Sequence, residues 1–311
     1  RPDIVQANIY SSVVTCAAVR MLSRGDRSCF VRRLANTDFV AYRSPTIVRV
    51  LDRFFSQTIA CAPSVADAYR AFMREQQRSE IVTVPNGGLL LESVPDAGEK
   101  LEARRALGIP ECAFVVTHIG RMFGGGRSDS SLAGGQKAQD VLLRAFAKAF
   151  GGDSDCVLAL VGDGPSRPEA EALAQSLRVE DLVRFLGQQP EPWPALQAAD
   201  LFCFPSRHEG LPNVLPEAAS CGLPVVASDI PEIRSLYSGD AWLLVPVDNV
   251  SEFAKAMKLV RERHSEFSHK ACAIAPAFRE QFSMEACARN YLQAYETALG
   301  GEKSTAQHHG G

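Results

Sequence analysis

Phe204-Pro-Ser-Arg-His-Glu-Gly-Leu-Pro-Asn-Val-Leu-Pro-Glu217 is the stretch that decides how this chain reads. A short apolar run, Asp200-Leu-Phe-Cys-Phe204, precedes it and reads as a buried strand. Ala218-Ala-Ser-Cys-Gly222 follows as a short helix closed by glycine, and Pro224-Val-Val-Ala-Ser-Asp229 as the next apolar strand. The stretch is therefore a strand-to-helix crossing. Ligands of open α/β sheets bind at such crossings, beyond the carboxyl ends of the strands. Asn213 suits an N-cap, and Pro216 is tolerable in a first turn. On this reading the amides of Val214 and Leu215 point out of the helix start, towards a bound anion. Glu209 and Glu217 would flank that anion. Carboxylates repel phosphate but accept hydrogen bonds from hydroxyls. Sugar hydroxyls flanking a diphosphate would satisfy both acids and the amides together. A solvated loop Glu and a helix-start Glu favoured by the dipole fit the same spacing.

Strand and helix alternate on both sides of this crossing. Upstream, strands are expected at residues 2–8, 28–32, 57–62 and 81–84, with helices at 12–22, 46–55 and 65–73. Pro85-Asn86-Gly87-Gly88 breaks the pattern as a turn. Residues 97–107 read as a charged linker helix. Strands at 112–120, 157–162, 183–187 and 241–246 and helices at 136–150, 166–177, 193–198, 250–263, 266–278 and 283–298 complete the chain. Such alternation implies parallel sheets covered by helices.

Glu209-x7-Glu217, preceded by Phe-Pro-Ser and followed by Ala-Ala-Ser-Cys-Gly-Leu-Pro-Val-Val-Ala-Ser, resembles the signature of the retaining GT-B glycosyltransferases of family 4. The resemblance implies an α/β chain with two Rossmann-like domains facing a cleft. Residues 1–95 would be an acceptor-side domain, incomplete because the family carries further strands and a glycine-rich loop before this start. Residues 96–284 would be the nucleotide-sugar donor domain, 285–300 a helix returning to the first domain, and 301–311 a disordered tail. Gly120-Arg121 and Lys137 resemble the family's Gly-Arg and Lys-Gly pair, whose cations hold the donor diphosphate. Ala138 departs from that pattern by replacing a glycine, and the connection Phe123–Gly135 is longer than the family norm. Glu209 would hold hydroxyls of the transferred sugar, and Glu217 those of the ribose. Gly210, Leu211, Pro212, Asn213, Val214 and Leu215 would line the diphosphate. Leu186, Gly187 and Gln188 would present backbone groups to the nucleobase. The implied chemistry is sugar transfer with retention of configuration, with Glu209, Arg121 and Lys137 as catalytic residues and no protein nucleophile.

The resemblance implies no metal and no cofactor. The donor would be a nucleotide-diphosphate sugar of the UDP or GDP type, and the acceptor a glycan or lipid-linked molecule. Asp153-Ser-Asp155 precedes a strand, which is the wrong end of a sheet for a donor metal. Nine scattered cysteines with no Cys-x-x-Cys pair argue for a reducing cytosol rather than a disulfide framework. Residues 1–90 hold twelve Arg, no Lys and seven Asp plus Glu, a charge of +5 within a chain of −3. That bias suits an anionic partner or a peripheral contact at the inner membrane face, or else is ordinary surface charge. No nucleic-acid motif appears. Two other functions remain open: a catalytically silent nucleotide-sugar-binding protein and a GT-B nucleotide-sugar epimerase.

Overall fold

Alternating side chains organise the first sheet. β1 (Ile4–Ala7), β2 (Cys29–Leu34), β3 (Gln57–Ala60) and β4 (Glu80–Thr83) pair in that order, all parallel. The structure, a computed structural model, describes residues 2–8, 10–22, 28–35, 45–73, 77, 79–124, 131–236 and 239–307. The chain divides into two compact units. The first comprises Arg1–Leu89, Glu209–Leu211 and Gln281–Gly311; the second comprises Leu90–His208 and Pro212–Glu280.

In the first unit, successive β2 side chains face opposite ways. Cys29 and Val31 pack with Ile59, Val84, Ala294 and Ala298. Phe30 packs with Ala7, Val13 and Phe55. The helices are α1 (Tyr10–Leu22), α2 (Pro45–Asp52), α3 (Pro63–Met73) and, from the far end of the chain, one over Met284–Gln307. That last helix runs past residue 300, where a disordered tail was expected. Gly300 and Gly301 weaken a helix by ~1 kcal/mol each but do not remove the amides that continue it. His308 and His309 lie outside the described residues.

One polar network lies inside this unit. Asp52 and Arg32 are both buried. Arg32 Nη2 donates to Asp52 Oδ1 at 2.5 Å and to Thr58 Oγ1 at 2.8 Å. The Tyr69 hydroxyl and the Ser79 hydroxyl donate to the same Asp52 oxygen, and the Ser79 amide to the other. The network joins β2, α2, β3, α3 and the approach to β4.

The second unit begins with α4 (Ala97–Ala106), whose Asp96 and Glu99 form a reciprocal capping box. Its strands are β5 (Phe114–Ile119), β6 (Cys156–Val161), β7 (Val183–Gly187), β8 (Leu201–Phe204), β9 (Val225–Ser228) and β10 (Trp242–Val245). They lie in the order β10-β9-β8-β5-β6-β7, all parallel. Read from β7, the strands run third, second, first, fourth, fifth, sixth, which is the doubly wound order. Helices α5 (Gln139–Phe150), α6 (Arg167–Ser176), α7 (Trp193–Ala198), α8 (Val214–Ser220), α9 (Pro231–Arg234), α10 (Val250–Glu262) and α11 (His264–Phe282) follow in turn. The last helix of the chain, over Met284–Gln307, is then α12. One core lies between the sheet and α5, α6 and α10; a smaller one lies on the α4 and α7 side. α11 continues through Pro276 to Phe282, four residues beyond the expected end.

Removing Arg32 would leave Asp52 buried without its cation, a loss typically near 3–5 kcal/mol. Arg32→Met should therefore lower unfolding stability by about 3 kcal/mol, read as an earlier urea midpoint. An unchanged midpoint would show that the network contributes little.

Candidate functional site

β5 and β8 are neighbours, yet β6 lies on the outer side of β5 and β9 on the outer side of β8. The crevice between their carboxyl ends is where a doubly wound sheet takes its ligand. His118, Gly120, Lys137 and Phe204 meet at that point. A Cβ added at Gly120 would stand 2.8 Å from His118 Nε2 and 3.1 Å from Lys137 Cγ. Only a glycine leaves room for both. The Lys137 ammonium lies 4.8 Å from the centre of the Phe204 ring, at cation–π distance.

His118 is fully buried. Its Nδ1 lies 2.9 Å from the Cys203 carbonyl, so Nδ1 carries the proton and Nε2 the lone pair. Nε2 has no hydrogen-bond partner among the described residues. Burial pulls the ring's pKa down to about 4, against the opposing hydrogen bond to Cys203; the Lys137 charge adds to the fall. The imidazole is neutral at neutral pH.

Lys137 does not open the helix, as the sequence implied. α5 begins at Gln139, because buried Ala138 takes a left-handed conformation at φ 50° and ψ 42°. Gln139 Nε2 donates to the Arg121 carbonyl at 3.0 Å, tying the helix start to the end of β5. Arg121 itself is exposed, and its guanidinium stacks 5.6 Å over the Phe123 ring. The middle of the glycine-rich connection lies outside the described residues.

α8 carries Glu217 in its first turn. Burial raises the Glu217 carboxyl to about 6. Asn213 stands at the N-cap position and is exposed, without a side-chain capping bond. The Leu215 amide donates to the Pro212 carbonyl at 3.1 Å. It is therefore not presented to an anion as expected: Asn213 is itself helical, so a turn closes one step early. At the outer edge of the sheet, Gly187 is left-handed at φ 66°, and its carbonyl accepts from the Gly162 amide at 2.8 Å. The Leu186 carbonyl accepts from Gln189 Nε2 at 2.6 Å. Both carbonyls are thus engaged within the fold, while Gln188 is exposed.

Glu209, Gly210 and Leu211 group with the first unit rather than with the donor domain where the sequence placed them. They lie beyond the carboxyl end of β8, and the flanking His208 and Pro212 belong to the second unit. Glu209 is buried. Asp153 is paired with Arg261 at the amino end of β6, away from the crevice. Sequence reasoning missed Arg207, which binds Asp140 and Asp248. It also missed the buried hydroxyls of Ser206 and Ser228, which have no partner among the described residues. No spacing in the sequence marks any of the three.

Residues 130–262 match the family model described as Glycosyl transferases group 1. The D-inositol 3-phosphate glycosyltransferase of Kribbella flavida is 32% identical over 264 residues, covering 81% of this chain and 58% of that protein. The N-acetyl-alpha-D-glucosaminyl L-malate synthase of Bacillus anthracis is 27% identical, covering 97% of this chain and 76% of that protein. The chain spans about half the length of the inositol-phosphate relatives it matches, 58% and 49% in two of them. The structure of Anabaena Alr3699/HepE in complex with UDP and glucose superposes with a TM-score of 0.79 at 22% identity, covering 95% of this chain and 78% of that one. Sucrose-phosphate synthase from Thermosynechococcus elongatus gives 0.76 at 21% identity, covering 96% and 74%. These likenesses are of fold, and the fold is GT-B.

Two outcomes follow from the geometry. The Glu217 carboxyl holds its proton to a higher pH in the fold than in the unfolded chain. Its contribution to stability is therefore full below about pH 4.5 and is lost as pH rises through about 6. Glu217→Gln, which cannot ionise, should gain roughly 2 kcal/mol over the parent at pH 8 and little at pH 4. Melts at the two pH values measure this; an equal difference at both would refute the burial account. Ala138→Gly should stabilise by up to ~1 kcal/mol, by relieving the left-handed alanine. A lower melting temperature would mean that the lost methyl contact outweighs the strain.

Proposed function

The chain carries a Glycosyl transferases group 1 domain over residues 130–262, and from this we propose that it transfers a sugar from a nucleotide-diphosphate donor to an alcohol acceptor. The observation that carries the proposal is the meeting of Gly120, Lys137 and Phe204 where the strand order reverses. As the sugar–phosphate bond breaks, negative charge grows on the departing diphosphate. A cation fixed beside it lowers the barrier because it interacts more strongly with that charge than with the ground state. Lys137 supplies this cation, and Arg121 joins it by swinging from Phe123. Glu217, ionised above about pH 6, accepts hydrogen bonds from the ribose hydroxyls. Glu209 holds hydroxyls of the transferred sugar. The amide of Val214 adds a donor to the anion's surroundings.

The proposed stereochemical course is retention. The acceptor attacks on the face that the diphosphate leaves, and a phosphate oxygen takes the acceptor's proton. With two cations at the diphosphate, the step proceeds without a metal ion. UDP is the favoured nucleotide, since a solved structure of the same fold holds UDP and glucose. The names of two relatives contain inositol 3-phosphate and malate, both small and anionic. They favour a small anionic alcohol over the lipid-linked glycan that the Arg-rich first ninety residues suggested. A peripheral membrane contact would accompany only the lipid-linked acceptor.

A thermal-shift panel of UDP, GDP and ADP tests the donor. A bound nucleotide protects by ~2.7 kcal/mol at a hundredfold excess over its dissociation constant. UDP should give the largest rise. Lys137→Ala should then cut turnover of the matching sugar nucleotide by about a hundredfold or more. Protection by UDP with no product from inositol phosphate, malate or water would favour the silent binding protein. Parent-like turnover in Lys137→Ala would remove the assignment.

A further inference from the structure

The segment from Leu132 to Lys137 connects β5 to α5 without helix or strand, so Lys137 has no ladder to hold it. The Leu132 amide is tied to the Glu169 carboxylate, and the segment's other cross-loop ties run to the backbone and side chain of Arg207 and to the backbone of His208. The Arg207 amide donates to the Gln136 carbonyl at 2.9 Å, and Gln136 Nε2 returns a bond to the His208 carbonyl at 2.9 Å. Arg207 Nη1 donates to the Gly135 carbonyl. Nη2 reaches both oxygens of Asp140, at 3.2 and 3.1 Å, in the first turn of α5. Nε reaches Asp248 Oδ1 at 2.7 Å. Asp248 is left-handed at φ 60° and lies between β10 and α10. Arg207 is only 17% exposed.

We propose that Arg207 is the positioning residue of this site: it sets Lys137 and the departure point of Glu209 by fastening the loops after β5, β8 and β10 to one another. The proposal rests on the glycosyl transfer argued above, because it assigns Arg207 its effect through Lys137. Arg207 touches the residue before Lys137 and lies two residues before Glu209. A guanidinium suits the task because it is planar and offers donors in fixed directions. Here its three nitrogens tie the loop after β8, which carries it, to Gly135, to Asp140 at the start of α5, and to Asp248 in the loop after β10. An ammonium on a flexible stem has no such geometry. Displacing a catalytic group by ~1 Å can cost on the order of a hundredfold in rate.

The test is a double-mutant cycle on turnover of UDP-glucose, or of whichever sugar nucleotide the thermal panel selects. Arg207→Lys and Arg207→Met should each lower kcat ten- to a hundredfold and change KM by less than threefold. In a Lys137→Ala background, Arg207→Met should cause almost no further loss, since the group it positions is gone. Multiplying losses would overturn the proposal and leave Arg207 a structural residue acting on the fold at large. Asp248→Asn is the milder companion if Arg207→Met does not fold. It takes the negative charge from one of the ties, leaving an amide oxygen that can still accept from Nε, and should show the same non-additivity at smaller amplitude. Hydrogen exchange separates this proposal from the function itself. Amides at 135–137 should exchange faster in Arg207→Lys, while β5 and β8 stay protected. Unchanged exchange at 135–137 would overturn the positioning role even in a chain that transfers no sugar. Faster exchange in such a chain would uphold the fastening and defeat only the proposed reaction.

Discussion

Backbone must touch backbone at the carboxyl ends of β5 and β6, and the rest of the second unit depends on that contact. A Cβ on Gly162 would fall 2.1 Å from the Gly120 carbonyl oxygen, and one on Gly164 2.2 Å from that of Met122. Side chains at either place would force the strands apart. With glycine there, the ladder continues past the strands. The Gly120 amide donates to Val161, the Met122 amide to Asp163 and the Gly162 amide to Gly187. These bonds join three strands into a floor at the reversal of strand order. His118 Nε2 and the Lys137 stem both lie on the side of Gly120 that a Cβ would occupy.

The electrostatics of this floor are one-sided. His118 is too deeply buried to be charged, so it does not add to the positive charge of Lys137. Glu217 is also disfavoured as an ion by burial, and no neighbouring cation is among the causes of its shift. Ligand hydroxyls donating to Glu217 would favour its ionised form. The same carboxyl that costs stability near neutral pH is thus suited to a hydroxyl-bearing ligand. Acids held in this way, destabilising until occupied, are common at binding sites. The unpartnered hydroxyls of Ser206 and Ser228, beyond β8 and at the end of β9, belong with this pattern of groups left unsatisfied near the crevice.

Strands and helices were legible because burial writes a period into the sequence. Leu201–Phe204 and Val225–Ser228 are buried at every position, as continuous apolar runs imply for parallel strands. The alternation of strand with helix gave the fold class, but not the order of strands in the sheet, which depends on long-range packing. Gly120 and Lys137 were legible through resemblance. Ala138 was noticed as a departure without its consequence, a helix beginning three residues late. The engagement of the Leu215 amide was hidden, because cap geometry depends on one backbone angle at Asn213. Arg207 was hidden for a different reason: its partners lie at positions 135–140 and 248, and no local pattern links such distant residues. α11 ran through Pro276 because packing outweighed a local penalty near 3 kcal/mol.

The chemistry of His118 separates the competing functions. An epimerase that works by elimination needs a group able to give or take a proton near neutral pH. His118 lies at the crevice, with His208 in the loop after β8, and the Nδ1 proton of His118 is committed to the Cys203 carbonyl. With a pKa near 4, its Nε2 can accept a hydrogen bond but not hold a proton at pH 7. Sugar transfer makes no such demand, since the leaving phosphate oxygen can take the acceptor's proton. Elimination would therefore have to draw its proton exchange from a group other than His118, whereas transfer needs none. A silent binding protein would need the same recognition of a diphosphate, so the two differ only in whether an acceptor oxygen reaches the anomeric carbon.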